Sequence, residues 1–311
     1  MVARVSATIS VKGLKKFYGA KAAVDDVSFE VEQGEFFGIL GPNGAGKTTT
    51  LEILEGLREP DSGELSVLGL APWPRNPALL PRMGVQLQAS SFFERLTARE
   101  QMRTFASLYG VSAKRADEML GTVGLADQAD VKGEKLSGGQ AQRLSIACAL
   151  VHDPELVFMD EPTGALDPQA RRNLWDLLRQ INADGRTVVL TTHHMDEAET
   201  LCDRVAIMDH GKILELGPPA ALVRGLDHPV RISIESGLLD VAQARALAVG
   251  PRAAAPGVGV TDDGVSLTIA THDPAAVLAG LVDRHALAGL RVQGATLEDV
   301  FLNLTGREYR A

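Results

Sequence analysis

Along the first two hundred residues, short continuous apolar runs alternate with segments whose apolar positions recur every three or four residues. That alternation predicts strands and helices in turn, the pattern of an α/β domain. Strands are expected over 9–14, 27–31 and 36–40, and later over 156–159, 187–191, 205–208 and 213–216. The segment 47–57 carries Leu51, Leu54 and Leu57 at helical spacing. Asp167 followed by Pro168 marks another helix start, with the carboxylate as cap and the proline at the first helical position. Leu174, Leu177, Leu178 and Ile181 form its apolar stripe, and Asp184-Gly185 ends it. The stretch from about 88 to 151 shows no strand period and reads as a helical subdomain.

The pattern breaks at Gly217-Pro218-Pro219 and again over 225–229, which predicts a linker and a domain boundary near residue 226. Beyond it, a strand over 230–235, a helix over 239–248 and a Pro/Gly-rich loop over 251–259 are expected. Two strands, 258–261 and 265–270, form a hairpin around Asp262-Asp263-Gly264. A helix over 274–285, a strand over 290–292 and a helix over 297–304 follow. The order βαββαβ plus one helix predicts a small α+β, ferredoxin-like domain over 227–311, following a first domain over 1–226.

Composition narrows the function. Apolar residues make up 45% of 311, as in globular chains. No run approaches the roughly 18 apolar residues of a spanning helix, and the N-terminus has no signal-peptide core. A cytosolic protein is therefore expected, reaching a membrane only through a partner. A net charge of −9 argues against a broad nucleic-acid-binding face. Cys148 and Cys202 fall on apolar stripes without metal-ligand spacing and read as core thiols.

Three constellations carry chemistry. Gly41-Pro42-Asn43-Gly44-Ala45-Gly46-Lys47-Thr48 fits the phosphate-loop pattern, between an expected strand and an expected helix. Glycines let backbone N–H groups converge on phosphate oxygens, and the helix N-terminus adds partial positive charge. In that pattern Lys47 reaches the β- and γ-phosphates and the Thr48 hydroxyl ligates Mg²⁺; Thr49 lies beside them. The apolar run before Asp160-Glu161 delivers both acids at the C-terminal end of a strand, where open α/β sheets bind ligands. Asp160 is the candidate Mg²⁺ holder, and Glu161 is placed to polarise an attacking water. Leu136-Ser137-Gly138-Gly139-Gln140 opens a third segment, a helix N-terminus suited to an anion.

With that last segment the chain resembles the nucleotide-binding domain of ATP-binding cassette proteins, over about residues 8–220. The resemblance implies a P-loop NTPase fold with a mixed sheet and helical subdomain, using ATP and Mg²⁺. It also implies a head-to-tail dimer in which Ser137, Gly138, Gly139 and Gln140 of one copy close over the other's nucleotide. By the same likeness Tyr18 stacks on adenine and Gln88 contacts Mg²⁺ and water, with Gln86 a nearby competitor. Asp167 signals across the dimer, and His193 meets the γ-phosphate. An alternative metal site at His193-His194 is set aside, because neighbours on a helix do not share a face. Gly164-Ala165 departs slightly from the family's usual spelling.

The segment from Gly294 to Gly306 resembles the tail of ATPase subunits in drug- and antibiotic-resistance exporters. It implies a separately encoded membrane permease and a place at the cytoplasmic face of the membrane. A soluble ABC ATPase acting on ribosomes or DNA is the alternative. The single cassette, the absence of a coiled coil and the absence of zinc modules weigh against it.

Overall fold

The computed structural model describes residues 7–86, 93, 95–164, 166–226, 230–248 and 258–306. The chain divides into two compact units between Pro219 and Ala220.

Unit 1 opens with strands β1 (Ile9–Tyr18), β2 (Lys21–Val31) and β3 (Phe36–Leu40), helix α1 (Lys47–Leu54), and strands β4 (Ser62–Val67) and β5 (Met83–Gln86). Helices α2 (Ala98–Leu108), α3 (Ala113–Thr122) and α4 (Gly138–Leu150) follow. The remainder is β6 (Leu156–Asp160), α5 (Pro168–Ala183), β7 (Thr187–Thr192), α6 (Met195–Leu201), β8 (Arg204–Asp209) and β9 (Lys212–Gly217).

Two sheets enclose the core. One is antiparallel in the order β2-β1-β4; the other runs β5-β6-β7-β3-β8-β9, parallel except for β9. Ile9, Val11 and Leu14 of the first sheet share one core with Phe37, Ile39 and Phe158 of the second, and Leu51, Ile53 and Leu54 of α1 join it. The rings of Phe29 and Phe37 stack across the sheets at 5.2 Å. All five residues of β3 and all five of β6 are buried, which is why these strands read as unbroken apolar runs. In the helical region Cys148 of α4 meets Met102 of α2, sulfur to sulfur, at 3.6 Å. Burial pushes the Cys148 thiol up to about 12, and Cys202 is also buried, so both are core thiols.

Several boundaries differ from expectation. β1 and β2 run longer than their apolar runs because they pair with each other as far as Tyr18 and Lys21. β4 and β5 are additions. The phosphate-loop helix stops at Leu54 rather than 57, because Gly56 at φ 70° closes it. The N–H of Leu57 bonds the Glu52 carbonyl and that of Gly56 the Ile53 carbonyl, a Schellman ending that turns Leu57 out to solvent. The expected linker holds a short helix, α7 (Pro219–Arg224), with Pro219 at its first position.

Unit 2 contains β10 (Val230–Glu235), α8 (Val241–Ala248), β11 (Gly259–Asp262), β12 (Ser266–Thr271), α9 (Pro274–Asp283), β13 (Arg291–Gln293) and α10 (Leu297–Thr305). Its antiparallel sheet has the order β11-β12-β10-β13, the ferredoxin-like arrangement of a split βαβ. Ile232, Ile234, Leu267 and Ile269 pack on Ala244, Val277 and Leu281, a core of its own. A capping box formed by Thr296 and Asp299 starts α10, and Asp299 also pairs with Arg231 at 3.0 Å.

Candidate nucleotide site

The parallel strands β3, β6 and β7 end side by side, and the polar residues that follow them converge. After β3 the chain turns through 41–46 into α1. Gly46, at φ 107°, occupies the left-handed region, and a Cβ there would come within 2.2 Å of the Ala23 carbonyl oxygen. Only glycine fits. Ala45 is buried in the core beneath the loop, while Gly41 and Pro42 offer their carbonyls to Lys47 Nζ at 2.7 and 3.2 Å. Asn43, Gly44, Gly46, Lys47, Thr48 and Thr49 line an open cavity of about 330 Å³ together with Tyr18 and Glu161.

Lys47 is almost fully buried, and its ammonium lies 3.1 Å from Glu161 Oε1. On the other side of that carboxylate, His193 Nδ1 stands 3.1 Å from Oε2. Burial would raise the pKa of Glu161, but Lys47 and His193 outweigh it and hold the carboxyl below the usual range. Glu161 has φ 47°, rare for a residue with a side chain. Its N–H is fixed by both the carbonyl and the hydroxyl of Thr191, each at 3.1 Å, so the surroundings maintain the strained position.

Asp160 ends β6 beside Thr48. Burial pushes its pKa up, against hydrogen bonds from the hydroxyls of Thr191 and Thr48. Thr48 Oγ1 stands 3.2 Å from Asp160 Oδ1. Two hard oxygen donors side by side suit Mg²⁺, which keeps several waters and takes its other ligands from phosphates. No cluster of three or more His, Cys, Asp or Glu side chains suited to a metal occurs among the described residues.

Tyr18 is half-exposed at the cavity rim, with the Arg58 guanidinium 5.4 Å from its ring centroid. Asp61 anchors the approach to it, accepting from the Phe17 N–H at 2.6 Å and from Lys16 at 2.8 Å. Gln88 lies outside the described residues. Gln86, its competitor, is buried at the end of β5.

The segment from Ser137 to Gln140 stands apart and lines no part of this cavity. Ser137 caps α4: its hydroxyl accepts from the Gln140 N–H, and the Gln140 side chain accepts from the Ser137 N–H at 2.9 Å. A Cβ on Gly138 would meet nothing within 4 Å, so this helix end is open. Asp167 caps α5 through the N–H groups of Gln169 and Ala170 at 3.0 and 2.9 Å.

His193 and His194 are not on a helix: His194 is the cap residue before α6, and the two rings lie 4.1 Å apart. Their adjacency in sequence therefore does not separate them.

A glycine-turned phosphate loop, an acidic pair at a parallel strand end and a basic side chain between them define a P-loop ATPase. A family profile described as ABC transporter matches residues 24–164. The Nod factor export ATP-binding protein I of Ralstonia nicotianae is 40% identical over 312 residues, spanning 97% of this chain and 95% of that protein. The linearmycin resistance ATP-binding protein LnrL of Bacillus subtilis is 38% identical over 315 residues, spanning 97% and 99%. A solved ATP-binding subunit of an ABC transporter shares the fold at a TM-score of 0.63 and 30% identity, over 70% of this chain and 92% of that one. The chain belongs to the ABC transporter family as an ATP-binding, ATP-hydrolysing subunit. No helix among the described residues is long and apolar enough to cross a membrane.

Proposed function

We propose that this subunit powers export of drugs, antibiotics or other small molecules through a separately encoded permease, from the cytoplasmic face of the membrane. The observation that carries this reading is the span of the likeness. Residues of both units align with proteins named for Nod factor export and for linearmycin resistance, over 97% of the chain.

In this reading the phosphates of ATP lie along Gly41 to Thr49, and adenine stacks on Tyr18. Lys47 then has two competing anions, Glu161 and the β- and γ-phosphates. Its transfer to the phosphates frees Glu161 to accept the proton of the attacking water. His193 meets the γ-phosphate from the other side of the same carboxylate. Thr48, Asp160 and Gln88 would hold Mg²⁺, which when bound neutralises phosphate charge. Ser137, Gly138, Gly139 and Gln140 serve the nucleotide of a second copy, head to tail. None of the four lines the chain's own cavity, which favours that role over one in cis.

The test is recovery of tagged Glu161→Gln with ATP from detergent-solubilised membranes of the native cell. A polytopic membrane protein in comparable amount is the expected result. Recovery of only ribosomal or DNA-bound proteins would sink the export reading and leave the ATPase untouched.

A further inference from the structure

Glu197 is the most deeply buried acid near the site, fully inaccessible in the first turn of α6 and four residues beyond His193. Trp175 Nε1, on α5, donates to its Oε1 at 3.2 Å. The hydroxyls of Thr163 and Thr192 face the same carboxyl. Thr163 is itself buried and lies two residues beyond Glu161. Thr192 ends β7 immediately before His193, and its hydroxyl accepts from the His194 N–H at 2.9 Å. One carboxyl thus faces the turn that carries Glu161, the strand end that carries His193, and the helix that begins at the Asp167 cap.

Burial drives the Glu197 pKa up, against those three polar neighbours and with Asp196 adding to the rise. A neutral acid carries one acceptor and one donor. The acceptor suits the Trp175 N–H, and the donor suits a threonine oxygen. Oε2 and Thr163 Oγ1 are both buried without a full hydrogen bond, and each is the complement the other lacks. Were its partners replaced along with it, an aliphatic cluster could fill this volume without desolvating a polar group. What it could not do is tie two loops to one point.

We propose that Glu197 is a positioning residue for ATP hydrolysis, keying the Glu161 turn to the His193 turn through Thr163, Thr192 and Trp175. This rests on the roles proposed above for Glu161 and His193. The contact it protects is the 3.1 Å approach of His193 to Glu161, and displacement of about 1 Å in such a geometry can cost on the order of 100-fold in rate.

The experiment uses the full chain and compares Glu197→Leu, Glu197→Gln and Trp175→Phe. Steady-state hydrolysis, ATP affinity and thermal unfolding are measured for each. Glu197→Leu is expected to lower kcat by about 10-fold or more, with KM for ATP within about 3-fold and a cooperative unfolding transition retained at a lower Tm. Glu197→Gln, which offers an acceptor and a donor like the neutral acid, recovers most of that loss. Trp175→Phe, which removes one N–H, lowers kcat several-fold with KM held, and remains informative if Glu197→Leu does not fold. A folded Glu197→Leu with undiminished kcat overturns the proposal, as does a Glu197→Gln no better than Glu197→Leu. His193→Ala and Glu161→Gln run alongside: if those two turn over normally, the site reading fails. If they are impaired while Glu197→Leu is not, only the positioning role fails.

Discussion

Glu55 is buried and Glu161 half-buried near the phosphate loop, and their neighbours push them in opposite directions. Glu161 has Lys47 and His193 within 3.1 Å and stays ionised, as a proton acceptor must. Replacing it by glutamine removes the acceptor while keeping the shape. Glu161→Gln is expected to bind ATP with near-normal affinity and to hydrolyse it about 100-fold or more slowly, checked by equilibrium binding beside phosphate release. Glu55 forms no ion pair among the described residues. It ends α1 with both carboxyl oxygens buried and unbonded, and burial, Asp160 and Glu52 push it up to about 8. Its folded pKa is raised above the ordinary 4.5, so the stability it contributes is complete below that pH and is lost as pH rises through about 8. Glu55→Gln abolishes the titration. In EDTA, its Tm advantage over the wild type should grow by several degrees between about pH 5 and pH 9. A pH-independent difference would mean that Glu55 is already ionised at neutral pH.

At the scale of elements, the loop between β3 and α1 is the most tightly determined piece of the site. The Gly46 Cβ position is occupied by the Ala23 carbonyl oxygen and the Met208 methyl, and a backbone oxygen cannot swing aside. Gly46→Ala should lose nucleotide binding and lower Tm by about 10 °C or more, by fluorescence titration and calorimetry. Retention of both would show that the loop can be built another way. This loop was legible because its chemistry is local: a buried strand, a glycine turn and a helix start within a dozen residues. Asp167-Pro168 was legible for the same reason. β4 was not, because Ser62-Gly63-Glu64 looks like a turn and becomes strand only by pairing with β1. β5 was hidden by Gly84, which suggests a break. A Cβ there would lie 2.2 Å from the Ala149 carbonyl oxygen, so the glycine permits close approach of backbones instead. The pairing of Glu161 with His193, 32 positions apart in sequence, and the three-way setting of Glu197 are products of strand order that no spacing reveals. Family likeness, not periodicity, pointed to Tyr18 and His193.

On the scale of the whole molecule, the question is what unit 2 adds. Each unit has its own apolar core, and the two clusters share no residue. The solved cassette that shares the fold covers 92% of its own length but only 70% of this chain. The export and resistance relatives, by contrast, align over 97% of it. The likeness to those relatives therefore takes in unit 2. Truncation after Leu226 removes unit 2 except for residues 220–226 and leaves every described residue of the candidate nucleotide site in place. The truncated chain is expected to keep ATP affinity within about 3-fold and a cooperative unfolding transition, because its core is intact. Recovery of the membrane partner with the truncated Glu161→Gln chain should fall several-fold below that with the full-length variant, measured in the same solubilised membranes. If the partner is recovered equally well, unit 2 has no part in assembly. If ATP affinity falls instead, it supports the nucleotide site itself, and the independence of the two cores does not extend to function.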